Sequence, residues 1–343
     1  MPVTLEVAFR PGCPSLEDVS TTSGLPLDLP SLVPDLARVE KALSDSVATE
    51  DAMLTEVAQS LIIAGGKRLR PVLTLATAYL GGPASNDVVQ GAVACELVHL
   101  GSLYHDDVMD EAVTRRGVAT ANARYGNFVA IVAGDFCLAV SAQLAASLGV
   151  EVSQLLGFTI GELCKGQVRE LQHLYNLERP EDSYFASIDG KTASLMAAAC
   201  RVGALTSGLD RETIEAVTVY GQRLGMVFQV ADDILDVIAT DEQLGKPAGN
   251  DVVEGVYTLP VLRSLDDPVH GEELRSLLAA RVDRSAVEHV RKLVRSSCGV
   301  EQAIAVGRSF ADEAAAALDK VANREVANEL AGLGHTLLDR LPL

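Results

Sequence analysis

Two five-residue stretches of this chain share one acidic pattern: Asp106-Asp107-Val108-Met109-Asp110 and Asp232-Asp233-Ile234-Leu235-Asp236. Each reads DDxxD. On a helix, residues i and i+4 share a face, so Asp106 projects beside Asp110 and Asp232 beside Asp236. Three carboxylates within one turn repel each other, and each triplet follows apolar sequence, Leu97 to Tyr104 and Met226 to Ala231. Such clusters need a cation. Carboxylate oxygens suit magnesium, which binds through one or two of them and completes its shell with water and substrate phosphates. A single acidic triplet in an acidic protein reads most simply as a solvated helix face. Two copies, each closing an apolar helix, point instead to metals that grip one anion from both sides of a cavity.

Basic residues near the triplets sharpen that reading. Gly65-Gly66-Lys67-Arg68-Leu69-Arg70-Pro71 puts three cations beside two glycines, which let backbone approach a phosphate, while arginine offers a fork for phosphate oxygens. Arg115-Arg116-Gly117 follows the first triplet directly, and His99 lies seven residues before Asp106, two helical turns back on roughly the same face. Lys191-Thr192 opens an alanine-rich segment, Phe228-Gln229 precedes the second triplet, and Lys246 sits in a glycine-bounded loop after it. Singly, these would be an exposed basic turn, a satisfied core histidine, a helix-start lysine with its cap, and surface residues.

The elements that must position these groups are helices. Apolar residues recur at helical spacing from about Leu36 onward, broken at Gly81-Gly82-Pro83, Gly126-Asn127, Arg179-Pro180 and Gly245-Lys246-Pro247. Alanine-rich runs such as Ala139 to Ala146, Thr192 to Ala199 and Phe310 to Leu318 favour helix, and alternation bounded by hairpin turns is missing. The pattern predicts an all-α fold: ten or more helices in a single-domain bundle over residues 31–343. Residues 1–30, with Pro2, Pro11, Pro14, Pro26 and Pro30, read as a flexible leader outside the fold.

Composition excludes some functions. Of the 343 residues, 48% are hydrophobic and 22% charged, ample for a sizeable core. A net charge of −19 repels phosphate backbones, so nucleic acid is not an expected partner, and a diphosphate needs metal or local cations to bind. Six dispersed cysteines, Cys13, Cys95, Cys137, Cys164, Cys200 and Cys298, form no CxxC pair and are expected as buried, reduced thiols. No secretory signal is visible and no apolar run is expected to span a bilayer, so the chain reads as cytoplasmic, with a lipid product as its route to peripheral membrane contact.

Taken together in order, GGKRLRP, ELVHLGSLYHDDVMD, RRG, GKTASL, GMVFQVADDILD and GKPAGNDVVEG resemble the trans-prenyl diphosphate synthases, or polyprenyl synthetases, from Gly65 to about Pro260. The resemblance implies an all-helical fold around a central cavity with both triplets on its walls, in a homodimeric, magnesium-dependent prenyltransferase that condenses isopentenyl diphosphate head-to-tail with an allylic prenyl diphosphate and releases diphosphate. It implies metal binding by Asp106, Asp107, Asp110, Asp232, Asp233 and Asp236. It assigns isopentenyl diphosphate to Lys67, Arg70, His99 and Arg116, and the allylic diphosphate to Arg115, Lys191 and Lys246, with Thr192 and Gln229 flanking the reacting carbons. The catalytic set is then Asp106, Asp110, Arg115, Lys191, Asp232 and Lys246. One departure stands out: Glu254-Gly255 is followed by Val256, where many members have lysine.

In that family the growing chain descends past the first triplet, and a bulky aromatic four or five residues ahead of it stops short products. Here those positions are the small Gly101 and Ser102, about 6 to 8 Å below Asp106 on a helix, and Tyr104 is expected to pack sideways. The expectation is a long-chain polyprenyl diphosphate, such as a quinone side-chain precursor, ahead of geranylgeranyl or farnesyl diphosphate. Two rival readings are a terpene cyclase and a non-catalytic subunit of a heteromeric synthase. The first has no use for Lys67, Arg70 and Arg116, and the second usually loses a cluster that this chain keeps.

Overall fold

The structure, a computed structural model, describes residues 27–244 and 247–343. Most of the expected leader, Cys13 and Lys246 lie outside the described residues. Asp28 donates its backbone N–H to Glu329 and Leu29 is buried, so the packed body extends ahead of the expected boundary at residue 30.

Among the described residues there are seventeen α-helices, one π-helical turn and one small hairpin. In chain order the helices are α1 (Leu32–Ser46), α2 (Ala52–Ile63), α3 (Leu69–Ala78), α4 (Asn86–Met109), α5 (Ala121–Tyr125), α6 (Asn127–Leu148), α7 (Val150–Leu171), α8 (Glu181–Ile188), α9 (Ser194–Thr206) and α10 (Arg211–Ile238). Then come α11 (Asp241–Leu244), α12 (Asn250–Glu254), α13 (Leu259–Ser264), α14 (Gly271–Leu278), α15 (Val287–Ser296), α16 (Gly299–Ala317) and α17 (Arg324–Asp339). The π turn, Asp189–Ala193, joins α8 to α9. The unanticipated hairpin pairs β1 (Thr114–Arg115) with β2 (Val118–Ala119) through Arg116-Gly117, both at positive φ, the geometry a two-residue hairpin turn requires.

Two long helices carry the aspartate triplets, and their starts are capped by side chains. Ser85 accepts from the Val88 N–H ahead of α4, and Asp210 accepts from the Thr213 N–H ahead of α10, each such cap being worth about 1 kcal/mol. The 24 residues of α4 pack along α6, while the 28 of α10 lie against α9 and α16. One apolar cluster joins α1, α3, α4, α6, α9 and the first half of α10; a second surrounds the rest of α10 with α13, α15 and α16. Backbones touch where α9 crosses α3: a Cβ on Gly203 would lie 2.1 Å from the Thr74 carbonyl oxygen, and Thr74 and Thr77 donate their hydroxyls to the carbonyls of Ala199 and Cys200.

Two sequence expectations need correction. Helix α6 is long and apolar enough to cross a bilayer by length and composition. Its inner face (Ala130, Ala133, Gly134, Cys137, Ser141, Ala145) is buried on the bundle, whereas Phe128, Ile131 and Val132 are exposed, so the helix is apolar on both sides. The thiols are also not uniformly buried: Cys95, Cys137 and Cys200 are, Cys164 is exposed and Cys298 half-buried.

Candidate active site

A cavity of about 820 Å³ opens between α4, α7, α10 and the loop before α3. It brings together Lys67, Arg70, His99, Ser102, Asp106, Arg115, Arg116, Lys191, Thr192, Gln229 and Asp232. These come from five places in the chain, and each is set by local backbone.

The basic loop is shaped by Gly65, Gly66 and Arg68, all at positive φ. Arg68 adopts that conformation because its side chain is anchored: it pairs with Glu40 and Glu96 and donates to the Ile62 carbonyl. Arg68 is thus a buried anchor within the cavity wall that it shares with Lys67 and Arg70. The hairpin sends its two arginines in different directions. Arg115 Nε donates to Asp107 at 2.5 Å, and the Arg116 guanidinium donates to the Gly65 carbonyl, lying over Gly66 where a Cβ would be 2.6 Å away. His99 Nε2 accepts from Arg70 at 3.4 Å. Burial and the neighbouring arginines, Arg70 foremost, hold its pKa well below the usual value, so it is a neutral acceptor.

The six aspartates divide. Asp106 lines the cavity, Asp110 is exposed at the end of α4, and Asp232 is exposed into the cavity from α10. Burial raises the pKa of Asp106, opposed by Lys191 and Arg115. The other three point elsewhere. Asp107 is fully buried against Arg115; Asp233 accepts from the Tyr184 hydroxyl and the Gln229 amide; Asp236 accepts the Asn250 and Asp251 N–H groups. Helical geometry accounts for Asp107 and Asp233, since i+1 turns about 100° from i, whereas Asp236, i+4 from Asp232, is held by the two N–H groups at the start of α12. Burial pushes Asp233 up to about 7.

Lys191 and Thr192 lie in the π turn, a feature frequent at functional sites. It lies flush on α7 through paired glycines: a Cβ on Gly166 would be 2.4 Å from the Lys191 nitrogen, and one on Gly190 2.8 Å from the Glu162 carbonyl. Lys191 Nζ pairs with Glu170 at 2.7 Å. Burial works against its charge, but Glu170, Asp106 and Asp110 outweigh that and raise its pKa. Thr192 donates to Gln229, which donates to Asp233. Glu170, Gln167 and Glu96 also belong to this site; Glu96 opens the ELVHLGSLYHDDVMD stretch, but only the ion pairs and the cavity reveal a role for any of the three.

The chain-length positions are placed differently from expectation. Gly101 does not line the cavity: it faces α6, where a Cβ would meet the Gly134 oxygen and Leu138 at 3.0 Å. Its small size serves the α4–α6 crossing. Ser102 does line the cavity, and Tyr104 is fully buried with its hydroxyl bonded to the Val57 carbonyl in α2, away from the cavity. Val256 is not among the cavity residues.

The profile of the polyprenyl synthetase family matches residues 51–297. Heptaprenyl diphosphate synthase component 2 of Geobacillus stearothermophilus is 39% identical over 289 residues, covering 83% of this chain and 89% of that one. Nonaprenyl diphosphate synthase of Mycobacterium tuberculosis is 39% identical over 282 residues, covering 81% and 84%. The crystal structure of a polyprenyl synthase from Caulobacter crescentus, complexed with calcium and isoprenyl diphosphate, superposes with a TM-score of 0.85 at 31% identity over 95% of this chain and 98% of that one. The cavity, lined by one aspartate from each triplet, and these likenesses agree: the chain belongs to the polyprenyl synthetase family and is a prenyltransferase of the long-chain polyprenyl diphosphate synthase type.

Proposed function

We propose that this chain condenses isopentenyl diphosphate with an allylic prenyl diphosphate in a magnesium-dependent reaction, with Asp106, Asp110 and Asp232 as the metal ligands. The observation that carries this is that Asp106 and Asp232 line one cavity together with Lys67, Arg70 and Arg116, while Asp110 lies one helical turn beyond Asp106. Among the described residues no three ligating side chains come close enough to enclose an ion unaided. Such an open donor set fits magnesium, which keeps waters and takes substrate phosphates as ligands. Bound there, the metal supplies charge neutralisation of the departing diphosphate.

The chain's own groups divide the remaining work. Lys191 and Arg115, beside the first cluster, hold the allylic diphosphate and stabilise the charge that builds as its C–O bond breaks. Lys67, Arg70, Arg116 and neutral His99 hold the isopentenyl diphosphate. Its double bond forms the new C–C bond to the allylic cation, and the proton lost passes to the released diphosphate. Thr192 and Gln229 sit between the two sites. The apolar wall of Leu163, Val168, Leu171 and Phe228 excludes water that would quench the cation. Ser102 leaves the path below Asp106 open for a long chain, suited to a quinone side chain.

The assembly we infer is a homodimer in the cytoplasm, joined through the outer face of α6, whose exposed Phe128, Ile131 and Val132 form an apolar stripe. A heteromer is the second reading, since two relatives are named component 2 of their synthase. The test is the purified chain alone with magnesium, isopentenyl diphosphate and a series of allylic primers, with products sized by chromatography. Turnover to long products supports both readings of site and assembly. No turnover without a second protein overturns the homodimer, and cyclised products overturn the reaction.

A further inference from the structure

A carboxylate sits inside the cationic end of the cavity. Glu96 is 1% exposed yet lines the cavity wall with Arg70, His99 and Arg116. Its Oε1 accepts from Arg68, which Glu40 already neutralises; its Oε2 is buried with no hydrogen-bond partner. Arg70 Nε, on the same cavity, is likewise buried and unpartnered. Burial disfavours the charges of Arg70 and Arg116, and Glu96 is the foremost group opposing this at both.

We propose that Glu96 is the internal counter-ion of the isopentenyl diphosphate site and limits how tightly that site holds a diphosphate; the inference rests on the function proposed above. An empty pocket of half-buried cations is costly unless a fixed anion balances it. The same anion then opposes an incoming diphosphate. Its use follows from the chemistry of elongation. In each condensation the allylic C–O bond breaks and its diphosphate leaves, so the lengthened product carries the diphosphate of the isopentenyl unit. That group must leave the Lys67–Arg70–Arg116 end and move to the metal end before the next addition. A site that bound it too tightly would stall after one step.

The experiment measures isopentenyl diphosphate binding by calorimetry in chelator for wild type, Glu96→Gln, Glu96→Asp and Glu40→Gln, with melting temperatures and product lengths. Glutamine keeps an acceptor for Arg68, which keeps Glu40, so the fold is retained. Removing one unscreened charge from such a pocket should tighten binding on the order of tenfold. Glu96→Gln should also lower turnover and shorten the product. Glu96→Asp retains the charge, and Glu40→Gln alters only the outer partner of Arg68; both should bind within about twofold of wild type. Unchanged or weaker binding by Glu96→Gln, or equal tightening in either control, overturns the inference alone. A wild-type chain that does not bind isopentenyl diphosphate overturns the proposed function, and the inference with it.

Discussion

Substituting Gly166 by alanine should cripple turnover although the residue touches no substrate. A Cβ there would stand 2.4 Å from the Lys191 nitrogen and 2.8 Å from the Ser187 carbonyl oxygen, both backbone atoms that cannot swing aside. Ordinary contact begins near 3.5 Å, so α7 and the π turn must part by about 1 Å. Overpacking of this kind costs about 1 to 3 kcal/mol of stability. The larger effect is on Lys191 and Thr192, which the π turn carries: a displacement of about 1 Å from productive geometry can cost on the order of 100-fold in rate. The assay is steady-state turnover at saturating substrates, with the melting temperature recorded alongside. Gly161, on the same helix with nothing within 4 Å of a would-be Cβ, is the control. Alanine there should preserve turnover and stabilise by about 0.5 to 1 kcal/mol. A Gly166→Ala enzyme with wild-type turnover, or an equal loss in Gly161→Ala, would refute the positioning argument.

Asp106→Ala and Asp232→Ala each remove a cavity-facing carboxylate and should lower kcat by about 100-fold or more, with little loss of stability; retained turnover in excess chelator would sink the metal role. Asp236→Ala, which strips the acceptor from two N–H groups, should instead show its effect first in the melting temperature. Ser102→Phe should shift products toward farnesyl or geranylgeranyl length, since the ring would enter the cavity about 6 Å below Asp106; Gly101→Phe should mainly destabilise, because it strikes α6. The N–H groups of His270, Val269 and Cys298 hold Asp267 down to about 2. Its folded value lies below the unfolded one near 3.9, so its contribution is present above that pH and lost as pH falls toward 2. Asp267→Asn should thus melt lower than wild type at neutral pH, with the gap closing near pH 2.

The helical class, the duplicated aspartate triplets and the cationic clusters were legible in the sequence because each depends on residue type at short spacing. Helical periodicity and alanine content act locally, and DDxxD places its first and last carboxylates on one face whatever the surroundings. The division of labour within the triplets was not legible. Which face of α4 or α10 meets the cavity depends on how those helices are rotated by α6, α9 and α16. That rotation buries Asp107, Asp233 and Asp236 and turns Gly101 toward α6. Helix α6 shows the limit most plainly. Its sequence is apolar but for a few positions such as Asp135 and Gln143, and only packing against α4 separates a buried face from an exposed one. Arg68 and Lys67 are adjacent cations in one basic loop, yet Glu40 and Glu96 take the first as an anchor and leave the second exposed at the cavity. Glu170 belongs to no motif, and Glu96 opens one that assigns it no role. Their roles arise from ion pairs across 21 and 28 residues, distances over which sequence spacing specifies nothing and only the assembled fold brings charge to charge.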